Sequence, residues 1–216
     1  MNQYYPVILY FFLFITLFFT IQFVINEFYI SENLLYEHLS ENFSEASVTH
    51  KVEKYQELTP VKIIAPIVFY ALRFFIIAIF VAVVLFLINI KHPFTGIVKA
   101  VILAEYLYVI KQLIKLIWFG IYRTDYTFKD FYDFNWDSVS GWANISNLPL
   151  YFRVPINSIN LFTLLYLFVL AFFLKKELGK KNTISYIKSL NISLKAYGSG
   201  LILWIVIVLF VLVGLN

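Results

Sequence analysis

The sequence predicts an all-α membrane protein, built as a bundle of five transmembrane helices with a short amphipathic helix in the first extracytoplasmic loop. Apolar residues make up 61% of the chain and the mean hydropathy is +0.79, whereas about half of the residues are apolar in an ordinary soluble domain. Long stretches also lack charge, and in lipid only a helix satisfies its own backbone N–H and C=O groups. We expect one integral membrane domain over residues 1–216, with spans at 7–26, 63–90, 97–120, 159–174 and 197–215.

The first span begins after Met1–Pro6, a segment without lysine or arginine. A signal peptide needs a basic n-region and a small-residue cleavage site, so we expect this helix to be retained as an anchor. In the polar loop that follows, four apolar residues recur at near-helical spacing after a possible Ser31 cap: Leu34, Leu35, Leu39 and Phe43. They favour a short amphipathic helix on the membrane surface or on the bundle, and a solvated acidic loop is the alternative.

The second and third predicted spans contain charged residues. Pro66 and Arg73 interrupt the second span, and the turn at 91–96 contains the helix breakers Pro93 and Gly96. The polar residues of the third span are Lys99, Glu105, Lys111, Gln112 and Lys115. Charges at membrane depth are functional candidates, because they are costly unless they pair or meet water.

A lysine-rich hinge separates the fourth and fifth spans and sets the predicted orientation. Glu177 is the one acidic residue among the six lysines of this hinge, which are Lys175, Lys176, Lys180, Lys181, Lys188 and Lys195. Short lysine-rich loops stay on the cytoplasmic side of a membrane. We therefore predict a cytoplasmic N-terminus and an extracytoplasmic C-terminus.

Four polar residues of the third span follow one another at intervals of three, four and three positions, which places them on one face of a helix. They are Glu105, Tyr108, Gln112 and Lys115. The functional interpretation is a water-filled groove or a contact with a partner helix. The structural alternative is a set of interior polar groups with lysines that extend to the membrane surface.

Arg73 is the candidate partner for this face. On the predicted boundaries, Glu105 lies roughly 12 Å and Arg73 about 25 Å from the cytoplasmic ends of their spans, at ~1.5 Å per residue. Direct pairing would then require a steep tilt or a shifted boundary. We expect Arg73 to face Gln112 and Lys115 instead.

The sequence favours no enzymatic, metal or nucleic-acid chemistry. It contains no cysteine, no glycine-rich phosphate loop and no hydrolase motif. His38 and His50 have no clustered ligands, and the aspartates between Asp125 and Asp137 match no standard calcium loop. No soluble basic patch interleaved with aromatics is present. We therefore predict neither a cofactor nor a metal ion. For the aromatic and acidic loop at 122–157, we expect either packing at the membrane interface or a docking surface for a partner.

The C-terminal part resembles the Yip family, the Ypt/Rab-interacting five-span membrane proteins, in its bacterial branch. The resemblance lies in the Asn-Leu-Phe sequence at 160–162, at the entry to the fourth span, and the Tyr-Gly-x-Gly-Leu sequence at 197–201, at the entry to the fifth. It covers roughly residues 60–216 in span spacing. It implies a five-helix bundle with a cytoplasmic N-terminus. Eukaryotic members assist vesicle trafficking and bind small GTPases through an N-terminal extension, which we do not expect here because only Met1–Pro6 precedes the first span.

These observations predict a non-enzymatic accessory or scaffold subunit of a bacterial inner membrane, with a role in trafficking or protein export. Its partners would be the lipid bilayer and other integral membrane proteins or further copies of itself. Gly198 and Gly200 are candidates for close helix packing, as small residues are in lipid. The alternative is a small transporter or permease subunit with a polar path along Arg73, Glu105 and Gln112.

Overall fold

The regular structure of this chain is helical. The structure is a computed structural model and describes residues 5–41, 43–57, 59–138, 141, 148–149, 152, 155–156, 158–179 and 184–214. Its main helices are α1 (Tyr5–Val24), α2 (Glu32–Ser40), α3 (Glu45–Glu57), α4 (Thr59–Leu87), α5 (Phe94–Ile117), α6 (Phe128–Tyr132), α7 (Leu161–Leu178) and α8 (Tyr186–Gly214). The chain is all-α within this described part, as predicted.

Among the described residues, three segments are long and apolar enough to cross a membrane, by length and composition: Tyr5–Tyr29, Ile64–Leu87 and Tyr186–Val211. They correspond to the first, second and fifth predicted spans. Helices α5 and α7 form at the third and fourth positions, but α5 carries four charged residues and α7 ends in Lys175-Lys176-Glu177. The protein therefore has the helices of a membrane protein, and membrane crossing by α5 and α7 remains a prediction.

The predicted amphipathic segment forms helix α2. The Ser31 hydroxyl caps it by accepting a hydrogen bond from the Leu34 N–H at 3.3 Å, which satisfies one of the free donors of the first turn. Leu35 is buried, whereas Phe43 is exposed beyond the helix end. Helix α3 follows α2 and packs against it. The sequence predicts only one helix in this loop, so α3 is an additional helix. Contact of α2 with the membrane surface remains a prediction.

The chain groups into two compact units. The first comprises Met1–Phe12, Leu72–Tyr108 and Asn135–Asn216, so far as these are described, and the second comprises Leu13–Ala71 and Val109–Phe134. Each unit therefore contains part of α1, α4 and α5. The single membrane domain over the whole chain remains a prediction.

The core of the first unit is the pair of helices α7 and α8. The Asn160 side chain caps α7 by accepting a hydrogen bond from the Thr163 N–H at 2.9 Å. Leu170 and Leu174 are fully buried along α7, and the Ser193 hydroxyl of α8 donates to the Leu167 carbonyl at 2.9 Å. Apolar packing and a side-chain hydrogen bond thus hold the two helices together.

The lysine hinge joins these two helices, and its described lysines are exposed. They are Lys175, Lys176, Lys188 and Lys195, while Lys180 and Lys181 lie outside the described residues. Glu177 behaves differently, because it is 6% exposed and pairs with Lys99 of α5 at 3.1 Å. The acid of the hinge is therefore neutralised within the first unit, and the described hinge lysines keep their charges facing outwards.

The second unit has an aromatic core. Phe119 is 1% exposed and lies within 5.0 Å, between ring centroids, of Tyr126, Phe131 and Phe134. Ring pairs at such separations contribute about 0.5–1.5 kcal/mol beyond the area that they bury. Three aromatic residues of the loop predicted at 122–157 therefore pack against Phe119, whereas Tyr122 and Tyr132 are exposed. Much of the loop from 139 onwards lies outside the described residues.

Two acidic residues of this loop, Asp130 and Asp137, make structural contacts. Asp130 forms a capping box with Thr127 at the start of α6 and pairs with Arg123 at 3.0 Å. The backbone carbonyl of Asp137 accepts a hydrogen bond from the Leu161 N–H at 2.9 Å, at the start of α7.

Acid titration should report the capping box directly. The Thr127 N–H and hydroxyl, with a further contribution from Arg123, hold the pKa of Asp130 below its usual value. The stabilisation is therefore complete above the pKa of the unfolded chain and is lost as the pH falls through the lower, folded-state value. We expect a carboxyl-carbon NMR titration of Asp130 to show this depressed pKa, and Thr127→Val to move it back toward the ordinary value. Identical titrations in the two proteins would contradict the assignment.

Candidate functional site

An ion pair lies at the middle of helices α4 and α5. The Arg73 Nε donates to the Glu105 Oε1 at 3.0 Å. Glu105 is 0% exposed, and the Arg73 side chain is 26% exposed. Each residue stands close to the centre of its helix, because α4 covers Thr59–Leu87 and α5 covers Phe94–Ile117. The pair therefore joins two helices at the greatest distance from their ends.

The expectation that Arg73 faces Gln112 and Lys115 rather than Glu105 was wrong. The helices end at Leu87 and begin at Phe94, each three residues earlier than predicted. At ~1.5 Å per residue, Arg73 lies ~21 Å and Glu105 ~17 Å from these neighbouring ends. The mismatch in depth is thus ~4 Å rather than ~13 Å, which a long arginine side chain covers without a steep tilt.

Three tyrosines surround the ion pair. The guanidinium carbon of Arg73 lies 4.6 Å from the centroid of the Tyr108 ring, a cation–π distance. The Tyr108 ring is 5.7 Å from that of Tyr166, which in turn is 5.0 Å from that of Tyr197. We call these five residues, Arg73, Glu105, Tyr108, Tyr166 and Tyr197, the polar centre. It lies within the first unit and draws on α4, α5, α7 and α8.

Three buried polar atoms of the polar centre make no hydrogen bond to any described residue. They are the second terminal nitrogen of Arg73 (Nη2), the Oε2 of Glu105 and the hydroxyl of Tyr166. The Tyr166 hydroxyl lies beside the Glu105 carboxylate but does not meet it in hydrogen-bond geometry. Arg73 and Glu105 are therefore joined by one hydrogen bond rather than the two of a bidentate pair.

The predicted polar face of α5 divides between the two units. Glu105 and Tyr108 belong to the first unit, whereas Gln112 and Lys115 belong to the second, where the Lys115 Nζ lies 4.1 Å from the centroid of the Phe131 ring. None of the four is fully exposed. This favours the interpretation of the face as interior polar groups over that of an outward contact for a partner helix.

Sequence reasoning missed Tyr166 and Tyr197 as members of the polar centre. Tyr166 stands in an uncharged run of α7, and Tyr197 was singled out only for the family resemblance. A tyrosine hydroxyl at the middle of an apolar run is a weak signal for such a site, since a buried hydroxyl usually seeks a polar neighbour.

The two glycines singled out for helix packing differ. A Cβ added to Gly200 would lie 3.5 Å from the Phe80 ring, whereas one added to Gly198 meets no described atom within 4 Å. Within the described residues, Gly200 therefore lies next to the side chain of Phe80 rather than next to the backbone of another helix. The space beside Gly198 is open. Within the described part of the chain no atom packs against Gly198, and close approach of a partner helix to either glycine stays a prediction.

Alanine should be accepted at both glycines. Gly198→Ala and Gly200→Ala should each raise stability by up to about 1 kcal/mol, since glycine within a helix is less favourable than alanine by this amount. Thermal unfolding of the purified protein in detergent measures the effect. A clear loss of stability in Gly198→Ala would show that another part of the chain packs there.

Comparison with protein-family models, curated proteins and solved structures gave no match.

Proposed function

We propose that the chain is a non-enzymatic accessory or scaffold subunit of a bacterial inner membrane, which crosses the bilayer five times and assembles with other membrane proteins. The observation that carries this proposal is the segregation of charge. Arg73 and Glu105 pair with each other inside the first unit, while large apolar side chains are exposed on the long helices, among them Phe69, Phe86, Ile202 and Phe210. Such surfaces fit lipid or the helices of a partner.

The distribution of lysines supports the proposed orientation. Exposed lysines at the end of α7 and in the first part of α8 support a cytoplasmic position for the connection between them, by the positive-inside rule, and we propose that the N-terminus lies on the same side. Five helices of 18 to 29 residues fit the five-span resemblance to the Yip family. That resemblance supports a role in trafficking or protein export.

The partner contact that we propose lies on α8 around Gly198. Leu194 and Ile202 stand four residues to either side and are both more than half exposed, so the three positions form an apolar stripe with a glycine at its centre. A partner helix could approach this stripe closely, as helices do at small residues in lipid. The partner is another integral membrane protein, and a second copy of this chain is the homo-oligomeric form of the same proposal.

Co-purification tests this contact. The tagged chain is extracted gently from native membranes, and the proteins recovered with it are identified. We expect Gly198→Leu to lose a partner that the wild-type chain retains, because the added side chain fills the open space. Ala65→Leu, at an exposed position of α4, is the matched control. Recovery of the same proteins by wild type, by Gly198→Leu and by an unrelated tagged membrane protein would contradict the proposal.

The polar centre favours a second candidate function, a small transporter or permease subunit. Buried charges near the middle of membrane helices often mark solute or ion pathways. Measuring solute flux into vesicles that contain only the purified protein distinguishes the two functions. If the chain is a scaffold subunit, the flux should equal that of protein-free vesicles. If it is a transporter, the flux should be higher.

A further inference from the structure

The three unpaired atoms of the polar centre have complementary hydrogen-bonding characters. Arg73 Nη2 can only donate, Glu105 Oε2 as a carboxylate oxygen can only accept, and the Tyr166 hydroxyl can do either. They lie on side chains that are already held together by the ion pair, by the cation–π contact of Arg73 with Tyr108 and by the tilted ring contact of Tyr108 with Tyr166. A group placed among them would therefore meet donors and acceptors together.

Leaving such atoms without partners is costly. A buried polar group without a hydrogen bond destabilises a fold by about 1–3 kcal/mol, and by more when the group is charged. Lipid tails offer neither donors nor acceptors, so the bilayer cannot satisfy groups at the middle of α4 and α5. Buried water in proteins typically makes about three hydrogen bonds to groups of this kind.

We propose that the polar centre binds water, as a resident molecule that accepts a hydrogen bond from Arg73 Nη2 and donates one to Glu105 Oε2 beside the Tyr166 hydroxyl. The charges of Arg73 and Glu105 cancel, so a neutral ligand fits better than an ion. The ring spacing also favours a small ligand, since Tyr166 lies within 5.7 Å of Tyr108 and 5.0 Å of Tyr197, measured between ring centroids. The inference is independent of whether the chain assembles with partners or transports a solute.

Millisecond radiolytic labelling of the full chain in lipid nanodiscs tests this site. A synchrotron beam generates hydroxyl radicals from water, and these oxidise aromatic rings that touch the irradiated water. Tyr166 is 0% exposed, so a dry interior would leave it unlabelled. We expect labelling of Tyr166 to exceed by several-fold that of Phe14 and Phe119, which are 0% and 1% exposed and pack against other aromatic rings.

Two variants keep the test decisive. Arg73→Leu/Glu105→Leu removes two of the three water partners and should lower Tyr166 labelling several-fold, whereas the exposed Tyr122 should be labelled equally in every protein. If that double variant does not fold, Arg73→Lys retains the charge and loses the second nitrogen, and should lower the labelling in the same direction. Labelling of Tyr166 as weak as that of Phe14 in the wild-type chain, or undiminished in a folded variant, would overturn the proposal.

Discussion

Glu105→Leu alone should be among the most destabilising substitutions in the chain, and adding Arg73→Leu should restore most of the loss. Removing one partner leaves a buried charge without its counter-charge, which costs about 3–5 kcal/mol, whereas replacing both partners by apolar residues is often neutral or stabilising. For a protein of this size, the single variant should unfold about 6–20 °C lower. Thermal unfolding in one detergent, with wild type, both single variants and the double variant side by side, measures the difference.

The exposed ion pair between Arg123 and Asp130 provides the matched control. Its side chains are 48% and 33% exposed, although its 3.0 Å separation equals that of the buried pair. Arg123→Leu should therefore cost at most about 1 kcal/mol, as surface pairs do. If Glu105→Leu were no more damaging than Arg123→Leu, the ion pair at the middle of α4 and α5 would have no structural role.

Phe119→Ala should have the second large effect, within the aromatic core of the second unit. The side chain is 1% exposed and contacts the rings of Tyr126, Phe131 and Phe134, so its removal leaves a cavity. Truncation of a buried phenylalanine to alanine typically costs about 3–5 kcal/mol. We expect a lower unfolding temperature and faster proteolysis between Arg123 and Phe134.

Tyr122→Ala serves as the comparison, because Tyr122 is an aromatic residue three positions away that is 73% exposed. Its loss should change stability by less than about 0.5 kcal/mol, since surface substitutions away from special features usually do little. Equal sensitivity of the two variants to heat and protease would mean that Phe119 is not the centre of this core.

The apolar runs predicted helices at the right positions because hydropathy acts locally along the chain. The Ser31 cap of α2 was also predictable, since a capping residue lies within one turn of the donors that it satisfies. The pairing of Arg73 with Glu105 was not, because a shift of three residues in each helix boundary changed the relative depth of two residues that are 32 positions apart.

The tyrosines of the polar centre show a second limit of the sequence. Tyr166 and Tyr197 are far from Arg73 along the chain and meet it only through the packing of α7 and α8 with the other helices of the first unit. Local periodicity carries no information on such contacts. The open space at Gly198 is a similar case, because only the arrangement of helices shows whether a glycine has a neighbour.

A membrane voltage would pull Arg73 and Glu105 in opposite directions. One elementary charge that moves across the whole field gains or loses about 2.3 kcal/mol per 100 mV. Because the two residues lie at nearly the same depth and are bound to each other, these forces almost cancel. In a membrane, this ion pair would therefore keep two full charges at the middle of α4 and α5 with little response to changes in the transmembrane voltage.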